Sequence, residues 1–418
     1  MKIARASIVL AAAAVAGQAA SAPPAKQVIT GPEAVYWMSA ATTSGMGGMP
    51  GGAGGPGSRR PSLGAMMSMG QGGSSANQSL ILQLGSSRRP SGPPTAEHDP
   101  PPSLGAGEVL PLVTPQARPA QEEREPGPPP QFQQPKGRIL IFWGCGEHAG
   151  PGQPLVLDFS KIGPGGQGAG QFAALGRGLG VTPMQPPSPT RNATYGEWPN
   201  ERTRTTVPPD GSLQGAHVVK GNYTPDINFT LTADQDFLPP FRLTSNVTNP
   251  TGSATLGWKS VDGARGYFAS MFGARGENEM VMWTSSQAQA SAFALPDYLS
   301  DGEISRLVAS SVLMATTQQS CVVPVEAVRA AGTGFFNLVA YGGESNISFP
   351  PRPPAPKPWN IAWTVKVRYR SATSGLLGMT MPDMGGAYGD RPPNGQQQQP
   401  QKPKSRLPGL FNPLGGAP

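Results

Sequence analysis

The chain has 418 residues, a net charge of +7 and only 14% charged residues. Its 56 Gly and 50 Pro exclude long helices, because one or the other interrupts nearly every window that could hold one. The apolar sequence between the Gly/Pro-rich stretches suffices for one or two cores of ordinary domain size. We therefore expect an all-β fold with two β-sandwich-like domains, Gly/Pro-rich disordered insertions and a disordered C-terminal tail.

Residues 1–22 have the pattern of a secretory signal peptide. Lys2 and Arg5 precede an apolar run at 8–16, and small residues follow. The run is shorter than the roughly 20 residues needed to span a bilayer. We expect the protein to be periplasmic or secreted, with the outer surface as a further destination, and to have no transmembrane span.

The range 27–240 is interpreted as a first β-domain. An opening strand is predicted at 27–39, and Arg138–Trp143 has the fully apolar pattern of a buried strand that pairs with 154–159. At 222–232, apolar and polar residues alternate as in a half-buried strand. Gly/Pro-rich stretches with little to bury are predicted to be flexible insertions, at about 42–76, 86–106, 115–136 and 163–210.

The range 241–351 has the strongest local pattern. Leu256 and Trp258 share one side of a strand, and a turn-rich connection leads to a second strand that opens with Gly266-Tyr267. This Leu-x-Trp followed by Gly-Tyr resembles fibronectin type III and related immunoglobulin-like modules. The resemblance implies a β-sandwich with the Trp in its core and the Tyr on the next strand. It also implies further strands at 279–284, 334–342 and, as the last one, 345–349.

One stretch of this range departs from the family's pattern. Residues 297–315 predict a short helix that is capped by Ser300 or Asp301. Its apolar face would carry Ile304, Leu307, Val308 and Val312.

Residues 359–371 predict a terminal strand that returns to the first domain. Apolar Trp363, Val365, Val367 and Tyr369 alternate with Thr364, Lys366, Arg368 and Arg370, which gives one wet, basic face. We assign Trp258, Tyr267 and Trp283 to the core and expect Trp363 and Tyr369 to be half exposed. The tail at 372–418 is predicted to be disordered.

Cys145 and Cys321 are the two cysteines of the chain. A disulfide between them would close a long loop and contribute on the order of 4 kcal/mol. Two buried free thiols are an equally good interpretation, because the sequence does not place the two Cα atoms within bridging distance.

Methionines cluster in two of the Gly-rich segments, and thioethers are soft ligands that suit Cu(I). The alternative, which we favour, is low-complexity linker sequence. The candidate ligands are Met46, Met49, Met66, Met67, Met69, Met379, Met381 and Met384.

Cys145, Glu147 and His148 follow a predicted buried strand, but a zinc site usually takes four ligands. The two other histidines, His98 and His217, are assigned to loops. We therefore favour a turn that carries one structural cysteine.

The interpretation that follows is a non-enzymatic cell-envelope protein with a binding or structural role and no cofactor. An envelope protein or a polysaccharide is the candidate partner, and nucleic acid is not expected. The alternatives are a periplasmic Cu(I)-handling protein that uses the Met-rich segments, and an accessory protein of a secreted polysaccharide-acting system.

Overall fold

The computed structural model describes residues 27–46, 76–115, 137–159, 179–276, 278–290 and 295–379. The predicted signal peptide at 1–22 and the predicted tail beyond 379 lie outside these residues. The described part of the chain confirms the all-β fold class. It forms 18 strands in four sheets, with two short α-helices.

The largest sheet has nine strands, which come from both sides of residue 240. Their bounds are β2 (Ala34–Gly45), β3 (Asn77–Ser86), β6 (Arg138–Trp143), β7 (Leu155–Asp158), β8 (Thr194–Trp198), β13 (Gly266–Arg275), β14 (Glu279–Thr284), β16 (Phe335–Phe349) and β18 (Trp363–Leu376). The spatial order is β7-β6-β14-β13-β16-β18-β2-β3-β8. The pairs β6–β14 and β18–β2 are parallel, and the other neighbours are antiparallel.

Three smaller sheets complete the described fold. A four-stranded sheet has the order β10-β9-β4-β5, with β4 (Ala96–Asp99), β5 (Leu110–Pro111), β9 (Gly215–Gly221) and β10 (Ile227–Leu231). A three-stranded sheet has the order β11-β12-β15, with β11 (Leu243–Thr248), β12 (Ala254–Trp258) and β15 (Ser320–Val323). The short strands β1 (Ile29–Thr30) and β17 (Trp359–Asn360) pair with each other.

The four-stranded and three-stranded sheets cover the same face of the large sheet. Tyr36 on β2 contacts Phe229 on β10, with ring centroids 6.3 Å apart. Trp258 on β12 contacts Tyr267 on β13 in an edge-to-face arrangement at 5.6 Å. Cross-strand partners share a face, and the registers across β13, β16, β18 and β2 place Tyr36 and Tyr267 on one side. One continuous apolar core therefore fills both sandwich-like halves.

Several strand predictions are confirmed. β6 pairs with β7, and in β10 the residues Ile227, Phe229 and Leu231 are buried while their neighbours are exposed. Trp258 is 1% exposed, as its assignment to the core requires. Tyr267 and Trp283 are likewise buried.

The C-terminal strand differs from its prediction in exposure and length. β18 lies between β16 and β2, so it does pair with the first predicted domain. Trp363 and Tyr369 are each 5% exposed, and the expectation that they are half exposed is wrong because their face lies between two sheets. The residues 372–376 belong to the strand rather than to a disordered tail. The expected separate strand at 345–349 is the continuation of β16.

Two of the predicted flexible insertions contain ordered structure. The range 86–106 includes β4 and a short 3-10 turn (Pro102–Leu104), with His98 and Leu104 fully buried. The range 163–210 includes β8, where Tyr195 and Trp198 are buried. The interpretation as flexible is wrong for these residues, because Gly and Pro also mark the turns between short strands.

The two helices lie on opposite faces of the large sheet's β13 region. α1 (Asp301–Ala309) begins after Ser300, whose side chain accepts a hydrogen bond from the Glu303 N–H, so the predicted cap is confirmed. Its Ile304 and Leu307 pack with Phe268. α2 (Val325–Ala331) packs beside β13 at Gly273. Among the described residues, no helix has the length and apolar character needed to cross a bilayer.

The contact between α2 and β13 depends on the missing side chain of Gly273. A Cβ atom at this position would lie 2.5 Å from the Cβ atom of Ala331. We expect Gly273→Ala to lower the free energy of unfolding by about 1–3 kcal/mol, as overpacking does, when measured by urea denaturation. Gly302→Ala in α1 is the matched control, since a Cβ there meets nothing within 4 Å. Equal stability of the two variants would contradict this packing.

Candidate functional site

A chain of hydrogen bonds between buried polar groups connects the four-stranded sheet to the large sheet. The Tyr36 hydroxyl on β2 lies 2.6 Å from Nδ1 of His98 on β4. Nε2 of His98 lies 2.9 Å from Nδ1 of His217 on β9. Nε2 of His217 lies 2.7 Å from the carbonyl oxygen of Leu213. We call these four groups the buried relay; each of its three side chains is 0% exposed.

The carbonyl at the end of the buried relay determines the direction of every bond in it. A carbonyl oxygen only accepts, so Nε2 of His217 carries a proton and donates to Leu213. With both rings neutral, Nδ1 of His217 then accepts from Nε2 of His98, and Nδ1 of His98 accepts from the Tyr36 hydroxyl. Each ring nitrogen has one partner, and a proton added to either histidine would reverse one or more of these bonds and leave the Tyr36 hydroxyl proton without an acceptor in the relay.

The surroundings of the buried relay keep it neutral. Phe229 stacks on His217 with ring centroids 4.8 Å apart, and the Tyr36 ring meets His98 edge-on. Burial, with a further contribution from His217, holds the pKa of His98 well below its usual value. Burial also lowers the pKa of His217 and raises the pKa of Tyr36 well above its usual value.

The assignment of His98 and His217 to loops is wrong. Both lie on strands and point into the core. For His217 a signal was present in the sequence, because His217 and Val219 stand two residues apart and face the same side of β9. For His98 the four-residue strand is too short to show an alternation.

The predicted basic face of β18 is half buried rather than wet. The side chains of Lys366 and Arg370 are 20% and 22% exposed. Lys366 pairs with Glu344 of β16 at 2.5 Å, and Arg370 pairs with Asp297 at 2.5 Å.

Arg368 lies between these two cations and is held by aromatic rings. Its guanidinium lies 5.1 Å from the centre of the Trp37 ring and 4.5 Å from that of Tyr298. Its Nε donates to Oγ of Ser39 at 2.7 Å. Burial lowers the pKa of Arg368. The three groups together fix the orientation of the guanidinium plane.

The two cysteines form a disulfide bond, with Cα atoms 5.2 Å apart. The bond joins the β6–β7 connection to β15 of the three-stranded sheet. Beside it, Gly146 N–H donates to the carbonyl of Val322. His148 contacts Glu326 on α2 instead of approaching Cys145. Within the described ranges, no three His, Cys, Asp or Glu side chains are arranged to hold a metal ion.

Of the eight candidate methionines, the structure describes Met46 and Met379. Met46 follows the end of β2, and Met379 follows β18 and is 57% exposed. β2 and β18 are parallel neighbours, and Gly45 pairs with Ser374. Both Met-rich segments therefore leave the large sheet at the same end. The remaining candidates lie outside the described residues: Met49, Met66, Met67, Met69, Met381 and Met384.

An open groove of about 770 Å³ lies beside β4 and β5. Its charged lining includes Glu97, Lys220 and Arg202. Lys220 pairs with Glu97 at 3.2 Å and with Asp99 at 2.9 Å, so Lys220 is neutralised by these two carboxylates.

Comparison with known protein families, with curated proteins and with solved structures finds no match for this chain.

The buried relay predicts a loss of stability in mild acid. The folded-state pKa of both histidines is lowered, so between that value and the unfolded value of about 6.5 the unfolded chain binds more protons. The stabilisation from the two neutral histidines is complete above about pH 6.5. It decreases as the pH is lowered further, by up to about 1.4 kcal/mol per pH unit for each histidine. Urea denaturation between pH 8 and pH 5 measures this slope.

The control for this measurement removes the titrating groups without leaving unpaired side chains. The variant Tyr36→Phe/His98→Leu/His217→Leu replaces all three with apolar groups, and we expect its stability to change less between pH 7 and pH 5.5. An unchanged slope in the triple variant would contradict the assignment.

Proposed function

We propose that this is an exported, non-enzymatic cell-envelope protein with a binding or structural role in the periplasm or at the outer surface. The bond between Cys145 and Cys321 carries the proposal, since structural disulfides persist mainly in oxidising compartments. The signal-peptide pattern at 1–22 supports it independently.

We further infer a fibronectin type III-like unit within the fold. In immunoglobulin-like sandwiches the first, second and fifth strands share one sheet, and the third, sixth and seventh share the other. Here β11, β12 and β15 form one sheet, and β14, β13, β16 and β18 are neighbours in the other. This order supports the resemblance, with β18 as the last strand. Many cell-surface domains share this architecture, although architecture alone does not define a function.

The burial and hydrogen bonding of the two core histidines favour a non-enzymatic role. Both nitrogens of His98 and of His217 are engaged in the buried relay. A general base must reach the proton that it abstracts, and these two rings are fully buried.

A second candidate function is Cu(I) handling by the Met-rich segments. The observation that favours it is the shared exit point, since Gly45 and Ser374 pair at the same end of two parallel strands. Segments that start at neighbouring points have a high effective concentration for each other. Soft thioether ligands from both could then bind one ion.

Export is tested by expressing the full chain in a bacterial host and fractionating the cells. We expect a periplasmic or secreted product that has lost about 22 residues and contains no thiol that reacts with an alkylating agent unless a reductant is added. A chain without residues 1–22 is the matched control and should stay in the cytoplasm. Full-length protein in the cytosol with two reactive thiols would contradict the proposal.

Titration of the purified protein with Cu(I), against a competing chelator, separates the two candidates. The first candidate, an envelope protein with a binding or structural role, predicts no stoichiometric binding of Cu(I). The second predicts at least one bound ion, lost when the eight candidate methionines are replaced by Leu. Met280→Leu is the control, because Met280 is exposed on β14 and lies outside both segments. Binding that survives the eightfold replacement would exclude the Met-rich segments as the ligands.

A further inference from the structure

Arg368 belongs to a cross-strand row on the outer face of the large sheet, opposite the core. It pairs with Ser39 of β2, and Ser39 pairs with Ile81 of β3. Direct cross-strand partners point to the same side of a sheet. Ile81, which is 47% exposed, therefore lies on the same face as Arg368, two strands away.

The guanidinium of Arg368 is held in place, but only part of its hydrogen-bonding capacity is satisfied. Its Nε donates to Ser39, and its central carbon lies 5.1 Å and 4.5 Å from the ring centres of Trp37 and Tyr298. Among the described residues, its Nη1 and Nη2 groups have no hydrogen-bond or ion-pair partner. An arginine that is held in this way presents its two terminal nitrogens in one orientation, so a bound group need not order them.

The charges around Arg368 do not balance. Glu344 pairs with Lys366, and Asp297 pairs with Arg370. No carboxylate in the described part of the chain is paired with Arg368. Nε of Arg370 is in addition buried without a partner. Three cations and two carboxylates therefore give this group a net charge of +1.

A half-buried cation without a counter-ion is costly, and contacts with aromatic rings offset only part of the cost. A carboxylate matches the planar fork of an arginine through two parallel hydrogen bonds. Arg368 is half buried, so part of its side chain still faces solvent, where such a group can approach it.

The strip beside Arg368 favours a sugar as the carrier of that carboxylate. On the same face, Ile81 and Ser79 are exposed and Gln83 is half buried. A pyranose ring has an apolar C–H face and a rim of hydroxyl groups, which Ile81 and the hydroxyl of Ser79 can contact. The Gln83 amide already donates to Pro187 and Tyr195.

We propose that Arg368 is the carboxylate-binding residue of a site for acidic, uronic-acid-containing polysaccharide on the outer face of β18, β2 and β3. The assignment of the ligand class rests on the proposed export, since such polysaccharides lie outside the cytoplasm. The site gives the accessory role in a polysaccharide-acting system a physical location.

The test is calorimetric titration of the purified full chain with tetragalacturonate, and with its methyl ester, which keeps the sugars but loses the charges. We expect binding of the free acid and at least tenfold weaker binding of the ester. Arg368→Lys keeps the charge but loses the planar fork and should weaken binding about tenfold. Ile81→Glu adds a competing carboxylate at an exposed position and should weaken it similarly, whereas Ile81→Gln, which loses only the apolar contact, should weaken it less.

Controls separate the outcomes of this experiment. Arg265→Gln alters a half-exposed arginine that pairs with Asp301 and should leave binding unchanged. The urea midpoint shows whether Arg368→Lys folds. If it does not fold, the proposal is tested by comparing tetragalacturonate binding by Ile81→Glu and Ile81→Gln. No binding of tetragalacturonate, or equal binding by Ile81→Glu and Ile81→Gln, would overturn the proposal. Tight binding of a poly-glutamate peptide that depends on Arg368 would overturn the assignment to a polysaccharide. Export is measured separately, by loss of the signal peptide and by thiol reactivity. A failure of the binding proposal can therefore be distinguished from a failure of the export proposal.

Discussion

The alternation of side chains along β18 is the constraint on which the rest of the fold depends. Val365, Val367 and Tyr369 point into the core between the sheets, and Lys366 and Arg368 point to the opposite face. A shift of one residue in register would bury the cations in the apolar core and expose the aromatic rings. Because β18 pairs with β16 on one side and β2 on the other, its register also aligns the two halves of the large sheet.

The two smaller sheets are attached to this common sheet by different physical means. The three-stranded sheet packs Trp258 on Tyr267 and is tied to the β6–β7 connection by the disulfide. The four-stranded sheet adds to its apolar contacts the buried relay, whose proton donors all find an acceptor within the relay only while both histidines are neutral. Reduction should therefore act first on one half of the molecule, and acid on the other.

The sequence was informative where apolar side chains alternate over a long strand and uninformative where an element is short. Leu256, Trp258 and the residues of β18 predicted their strands and the inward faces. β4, with four residues, shows no period, and its position between Gly/Pro-rich stretches predicted a flexible insertion instead. The register between distant strands, which brings His98 to His217 across 119 positions, is a tertiary property that no local pattern contains.

The same distinction applies to the candidate sites. The Met-rich segments are conspicuous in composition, but the described structure fixes only the point where they leave the sheet. Arg368 is inconspicuous in the sequence, as one of several basic residues in an alternating strand, yet it lies on one of the most enclosed strands of the large sheet. A group on a paired strand is placed more accurately than one on a loop, and Trp37 and Tyr298 restrict it further. The cation with the least freedom is thus the one without a carboxylate partner, and this combination distinguishes a pre-formed binding group from a solvated charge.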